Sequence, residues 1–126
     1  MNSKEKGDLS VIAAINFYGS LGYEILLPIG DKQKYDLVVD TGEKLLKVQC
    51  KYCGHKPKNS PSYHAPLRVM GGNQSFHTIK RYQSNDFDIY FVMTREGAIY
   101  AIPAEIVLKN TNEIALSKKM DKYKVN

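Results

Sequence analysis

Two short runs around a turn constrain this chain more than anything else in it. Residues 35–40 and 45–51 are β-like, and Thr41-Gly42-Glu43-Lys44 between them reads as a hairpin turn with a glycine inside. With the turn centred between Gly42 and Glu43, Asp36 lies opposite Gln49, Val38 opposite Lys47 and Asp40 opposite Leu45. Side chains alternate along each strand. One face therefore carries Asp36, Val38 and Asp40 beside Lys47, Gln49 and Lys51. The other carries Leu37, Val39, Leu46, Val48 and Cys50 and is suited to a core. A slip of one residue would turn the polar set inward, so the hydrophobic pattern selects this register.

Helical spacing of Val11, Ala14, Ile15, Tyr18 and Leu21 predicts an amphipathic helix over residues 9–21, stopped by Gly22. Residues 23–27 are a short apolar run that ends at Pro28 and reads as a strand. Residues 55–74 hold Pro57, Pro61, Pro66, Gly71 and Gly72 and are loop-rich. Within and after them, residues 64–70 are a candidate edge strand and 75–83 a candidate short helix. Residues 88–94 (DIYFVMT) and 98–102 (AIYAI) read as strands joined by the turn Arg95-Glu96-Gly97. Pro103 suits the first turn of a short helix over the AEIVL that follows. Residues 113–117 suggest a last strand, and the basic tail 118–126 is expected to fray. This order describes a single α/β domain over 1–126, a mixed central sheet flanked by helices.

Composition narrows the function. A chain of 126 residues with 43% hydrophobic residues supports one modest core. No apolar run approaches the ~18 residues of a membrane span. The first residues, MNSKEKGD, lack the apolar segment of a secretory signal. Two Cys and four Met suit a reduced compartment. A cytoplasmic protein with no membrane partner is expected. The net charge of +5 is unevenly spread. Residues 44–85 hold eight basic residues, all three His (His55, His64, His77) and no Asp or Glu. The remainder has ten basic and thirteen acidic residues. Such a block points to a polyanion, most often nucleic acid. A solvated basic face is the plainer alternative.

The hairpin brings a carboxylate, an amide oxygen and an ammonium onto one rigid surface, as Asp36, Gln49 and Lys51. That set suits metal-assisted phosphoryl chemistry. Mg²⁺ takes oxygen ligands, typically one or two carboxylates with phosphate and water, and a neighbouring lysine can orient water or stabilise phosphate charge. On spacing alone, a polar sheet face with an exposed Asp–Lys pair is the commoner arrangement.

These residues resemble a known family. Asp36, followed thirteen residues on by Gln49-Cys50-Lys51, is similar to the PD-(D/E)XK nuclease signature. KGDLS (6–10), LGYEILLPIGDKQKYDLVVD (21–40), KVQCKY (47–52) and DIYFVMTREGAIYAIPAEI (88–106) resemble the group I intron-associated homing endonuclease branch. In that branch Gln often replaces the usual second acid. The resemblance covers most of residues 6–117. It implies a restriction-endonuclease-like core and a metal-dependent endodeoxyribonuclease using Mg²⁺ or Mn²⁺. It also implies a homo-oligomer, dimer or tetramer, that grips double-stranded DNA with basic loops and sheet edges. Position by position, it implies Asp36 as main metal ligand, Gln49 as a side-chain oxygen donor, Cys50 as a backbone-carbonyl ligand and Lys51 as the catalytic lysine. There is one departure. The family's first helix usually carries a Glu after the Lys-Gly-Asp start, and Val11 stands there. Asp8, one turn earlier at i, i+3, can face the same site as a further metal ligand; its alternative role is a helix N-cap. Without a replacement, weak metal binding and slow or absent cleavage are expected.

Other groups are weighed on chemistry. Arg68 and Arg81 suit base reading, because Arg pairs bidentately with guanine. Lys47, Lys56, Lys58 and Lys80 suit phosphate contacts. Tyr52, Tyr63 and Tyr82 lie among basic residues and could stack on bases, with ordinary packing the commoner role. A zinc knuckle of Cys50, Cys53, His55 and His64 is disfavoured, since Cys50 and Cys53 project to opposite faces of a strand. The expectation is a metal-dependent endonuclease of duplex DNA. Its rivals are a Holliday-junction-resolving nuclease, a catalytically impaired DNA-binding module of the same fold, and a structural protein with a basic surface.

Overall fold

The hairpin forms in the predicted register. In the computed structural model, β1 (Glu24–Leu26), β2 (Leu37–Asp40) and β3 (Leu45–Cys53) make an antiparallel meander. Val38 pairs with Lys47 and Asp40 with Leu45. The Asp36 N–H continues the ladder to the Val48 carbonyl at 2.8 Å. The turn closes through Thr41 N–H to the Lys44 carbonyl at 3.0 Å. Gly42 there has φ +91°, the left-handed conformation that glycine adopts without strain. The structure describes residues 1–70, 79–83, 85–110 and 112–126, and for 68–70 and 79–81 the backbone alone.

The chain then leaves the sheet for a long excursion carrying β4 (His64–Pro66), β5 (Arg68–Met70) and β6 (Ile79–Arg81). It returns as β7 (Ile89–Thr94), parallel to β3, and β8 (Ile99–Pro103), antiparallel to β7. The central sheet is mixed, in the order β1-β2-β3-β7-β8. A one-turn helix, α2 (Ala104–Val107), follows as the Pro103 signal predicted.

Both faces of the sheet are covered. On one side lies the N-terminal helix α1 (Ser3–Ser20), where Ala14 and Tyr18 join Leu37, Val39, Val48, Cys50 and Phe91. On the other side Tyr90, Val92 and Ile102 meet Phe87, Leu67 and Val107. The ribbon of β4 with β9 (Glu113–Ala115) closes that side. It is tied down where the Tyr90 hydroxyl donates to the Pro66 carbonyl at 2.6 Å. The register therefore has two buried faces to satisfy, which leaves little room for a slip.

Four sequence expectations change. α1 begins at Ser3, six positions before residue 9, because Asn2 and Glu5 form a reciprocal capping box. Residues 64–70 form two strands in two separate ribbons, since Pro66 pairs with Glu113 while Arg68 pairs with Arg81. Within the expected helix 75–83, Ile79–Arg81 is a strand that pairs with β5, and residues 75–78 lie outside the described residues. The tail is not frayed. Lys118–Tyr123 is a 3-10 helix, Met120 and Tyr123 lie on the core, and the Val125 N–H donates to the Ile99 carbonyl at 2.9 Å. The Asn126 side chain accepts from the Ile99 N–H at 2.9 Å and donates to the Gly97 carbonyl at 2.7 Å. Among the described residues, no helix is long and apolar enough to cross a membrane.

Deleting residues 118–126 should lower the unfolding free energy by about 1–3 kcal/mol, the scale of uncovering two partly buried side chains. Urea denaturation monitored by circular dichroism checks this.

Candidate active site

The hairpin faces a cleft of about 530 Å³. The sheet lines it with Asp36, Gln49, Cys50 and Lys51, and the start of α1 lines it with Lys4, Lys6, Asp8 and Val11. Asp36 sits just before β2, while Gln49 and Lys51 stand two apart on β3 and so share a face.

Asp36 is tied directly to β3. Its Oδ2 accepts the Cys50 backbone N–H at 2.8 Å and the Gln49 Nε2 at 3.2 Å. The same Gln49 Nε2 also donates to the Cys50 carbonyl at 3.2 Å. The buried amide thus fills the gap between a carboxylate and a carbonyl oxygen. A donor held between two acceptors marks a position that a small cation would also satisfy. Turning the amide over would present Oε1 there as a third oxygen. The residues fit one hard, oxygen-liganded divalent ion that keeps several waters. Among the described residues, no group of three or more His, Cys, Asp or Glu could hold an ion. Asp36 and Asp8 are the two acids that line the cleft.

Burial strains both charges. Desolvation pushes the Asp36 carboxyl above its usual range, although the Cys50 N–H and the Lys51 ammonium pull it back down. Desolvation likewise lowers the Lys51 pKa, and Asp36 partly opposes that. A lysine shifted this way releases its proton more readily than one in water.

The remaining predicted residues divide. Val11 and Asp8 line the cleft together, as their spacing suggested. Asp8 is not the N-cap, a place taken by Asn2; it is exposed and its Oδ2 lies 3.5 Å from Lys4 Nζ. The Lys47 ammonium donates to the Asn85 carbonyl and lies 5.9 Å from the Tyr35 ring centroid. Lys56 and Lys58 are exposed on the loop before β4, Lys56 over the Tyr63 ring at 4.8 Å. Arg68, Lys80 and Arg81 lie on the β5–β6 ribbon, their side chains outside what the structure describes, and His77 falls outside the described residues. Tyr82 is buried edge-on against Phe87, centroids 4.9 Å apart, and is not a base-stacking surface. Cys50 and Cys53 belong to cores on opposite sides of the sheet, which leaves no zinc knuckle. Lys4 and Lys6 were missed, because residues 44–85 dominated the charge pattern. The Asn2-x-x-Glu5 capping signal could have placed them on the first helix.

A mixed sheet that holds an Asp–Gln–Lys set over a cleft defines a nuclease core of the restriction-endonuclease kind. The comparisons agree: the sequence profile described as PD-(D/E)XK endonuclease matches residues 1–125, and the chain belongs to that family. Among solved structures, the bacterial homing endonuclease I-Ssp6803I is similar, with a TM-score of 0.85 and 28% identity. The match covers 98% of this chain and 89% of that one. No curated protein sequence gives a significant match. The resemblance read from the sequence, to the homing endonuclease branch of this family, is borne out.

Asp36→Asn keeps an acceptor for the Cys50 N–H and removes the desolvated charge. A carboxyl whose folded pKa is raised favours the fold while protonated, and that contribution is lost as pH rises through the folded pKa. The variant should therefore unfold about 1–5 °C above wild type at pH 8 without added metal, the gap narrowing as the pH falls below the raised Asp36 pKa. Thermal melts across pH measure this.

Proposed function

We propose that this protein is a Mg²⁺- or Mn²⁺-dependent endonuclease that hydrolyses phosphodiester bonds of double-stranded DNA, in the manner of a homing endonuclease. The supporting observation is the convergence of Asp36, the Gln49 amide, the Cys50 carbonyl and Lys51 in one cleft. Asp36 and the Cys50 carbonyl would hold the ion, with Gln49 turned to add its oxygen. The bound ion supplies charge neutralisation at the phosphate and acidifies water. Lys51, its pKa lowered by burial, orients the attacking water and in its neutral form accepts the proton. The water oxygen bonds to phosphorus as the bond from phosphorus to the leaving oxygen breaks, and the leaving alkoxide takes a proton from solvent water. Lys56 and Lys58, with Arg68, Lys80 and Arg81 on the adjoining ribbon, would hold the flanking backbone.

Among the described residues one protomer presents one such cleft, and a homo-oligomer would bring a second to the other strand. The apolar side chains Leu26, Leu27 and Ile29 at the β1 edge, with Ile29 97% exposed, support a self-association surface. Val11 favours a second reading, an impaired nuclease that binds DNA and cuts it slowly or not at all, because the cleft holds a methyl-bearing wall where the family usually has Glu.

Lys51→Ala should abolish divalent-metal-dependent nicking of supercoiled plasmid; unchanged nicking would remove the catalytic assignment. In wild type, nicking should rise with pH and level off below the ordinary lysine range, as the lowered Lys51 pKa requires. Val11→Glu should tighten Mn²⁺ binding by about 10-fold, the scale of one well-placed charge interaction of ~1.4 kcal/mol, as titration calorimetry would record. Equal affinity in both proteins would detach residue 11 from the metal site.

A further inference from the structure

We infer that Lys6 is a second phosphate-binding residue of the cleft, holding the DNA backbone beside the phosphate that Lys51 addresses. The inference rests on the reading that this cleft takes DNA, and it assigns a contact outside the basic block of residues 44–85. The cleft has two walls of different origin. The sheet side brings Asp36, Gln49 and Lys51, and α1 brings Lys4, Lys6 and Asp8. A backbone that fills this cleft meets residues of both the sheet and α1.

The two α1 lysines differ. Lys4 Nζ lies 3.5 Å from Asp8 Oδ2, so its charge is partly answered already. Lys6 has no such acid among the described residues. Its ammonium lies 5.8 Å from the Tyr52 ring centroid. An aromatic face draws an ammonium towards itself without neutralising it. Tyr52 directly follows Lys51 on β3. Tyr52, Lys51 and Lys6 all line the cleft, so the ring holds the Lys6 charge at the α1 side of it. The half-buried Asp36 repels an approaching phosphate, and cations from both the sheet and α1 offset that repulsion. Lys6 is solvent-exposed, so replacing it leaves the core untouched.

The test is fluorescence anisotropy with a labelled duplex of two unrelated sequences, in EDTA so that nothing is cut, from 50 to 200 mM salt. Wild type, Lys6→Ala, Lys6→Arg and Lys109→Ala are compared, Lys109 being an exposed lysine outside the cleft. Lys6→Ala should weaken binding several-fold on both sequences and make the log–log salt slope shallower by about 0.9, the signature of one lost phosphate contact. Lys6→Arg should keep affinity and slope, and Lys109→Ala should change neither. Wild-type affinity and slope in Lys6→Ala, with wild type binding normally, would overturn the inference and leave the DNA reading intact. Wild type that binds no duplex would overturn both.

Discussion

The Cys50 backbone N–H reaches the Asp36 carboxylate at 2.8 Å, and the candidate site depends on that bond. It joins neighbouring strands, so it exists in only one hairpin register. A slip of one residue would bring Leu37 to the cleft and send Asp36 into the α1 core. The register is held from outside the site, because Leu37, Val39 and Val48 are fully buried against α1 and Phe91. The apolar side of the hairpin thereby positions the polar side.

Burial on both faces also sets the chemistry. A carboxylate and a lysine on an open sheet face would keep nearly ordinary properties. Here burial withdraws water, which raises the Asp36 pKa and lowers that of Lys51. Both shifts act against the fold at neutral pH, and the core around Tyr90, Phe91 and Val92 offsets them. Such opposition between local stability and function is expected where charges are gathered for catalysis.

Charge acts differently in space than along the chain. Lys47 belongs to the basic block but bonds to the Asn85 carbonyl. Lys4 and Lys6 are remote from that block in sequence, yet they line the same cleft as Lys51. The electropositive surface is thus assembled from two segments, and the density of lysines along the sequence locates only one of them.

The hairpin register, the core strands β7 and β8 and the Asp36–Gln49–Lys51 set were legible in the sequence, because a period-two pattern is local and a slip in it is costly. The start of α1 was not read, because the apolar stripe begins later, although Asn2 and Glu5 carry its capping signal. The separation of β4 from β5 was not, nor the pairing of Ile79–Arg81 with β5, nor the docking of the tail on β8. Short segments without a clear period take their conformation from partners far away in the chain. By itself the sequence determined which residues share a face of the hairpin, since alternation is a property of the strand. Only the tertiary structure decided that this face lies in a cleft that Val11, Asp8 and Lys6 also line, because that depends on how α1 packs across the sheet.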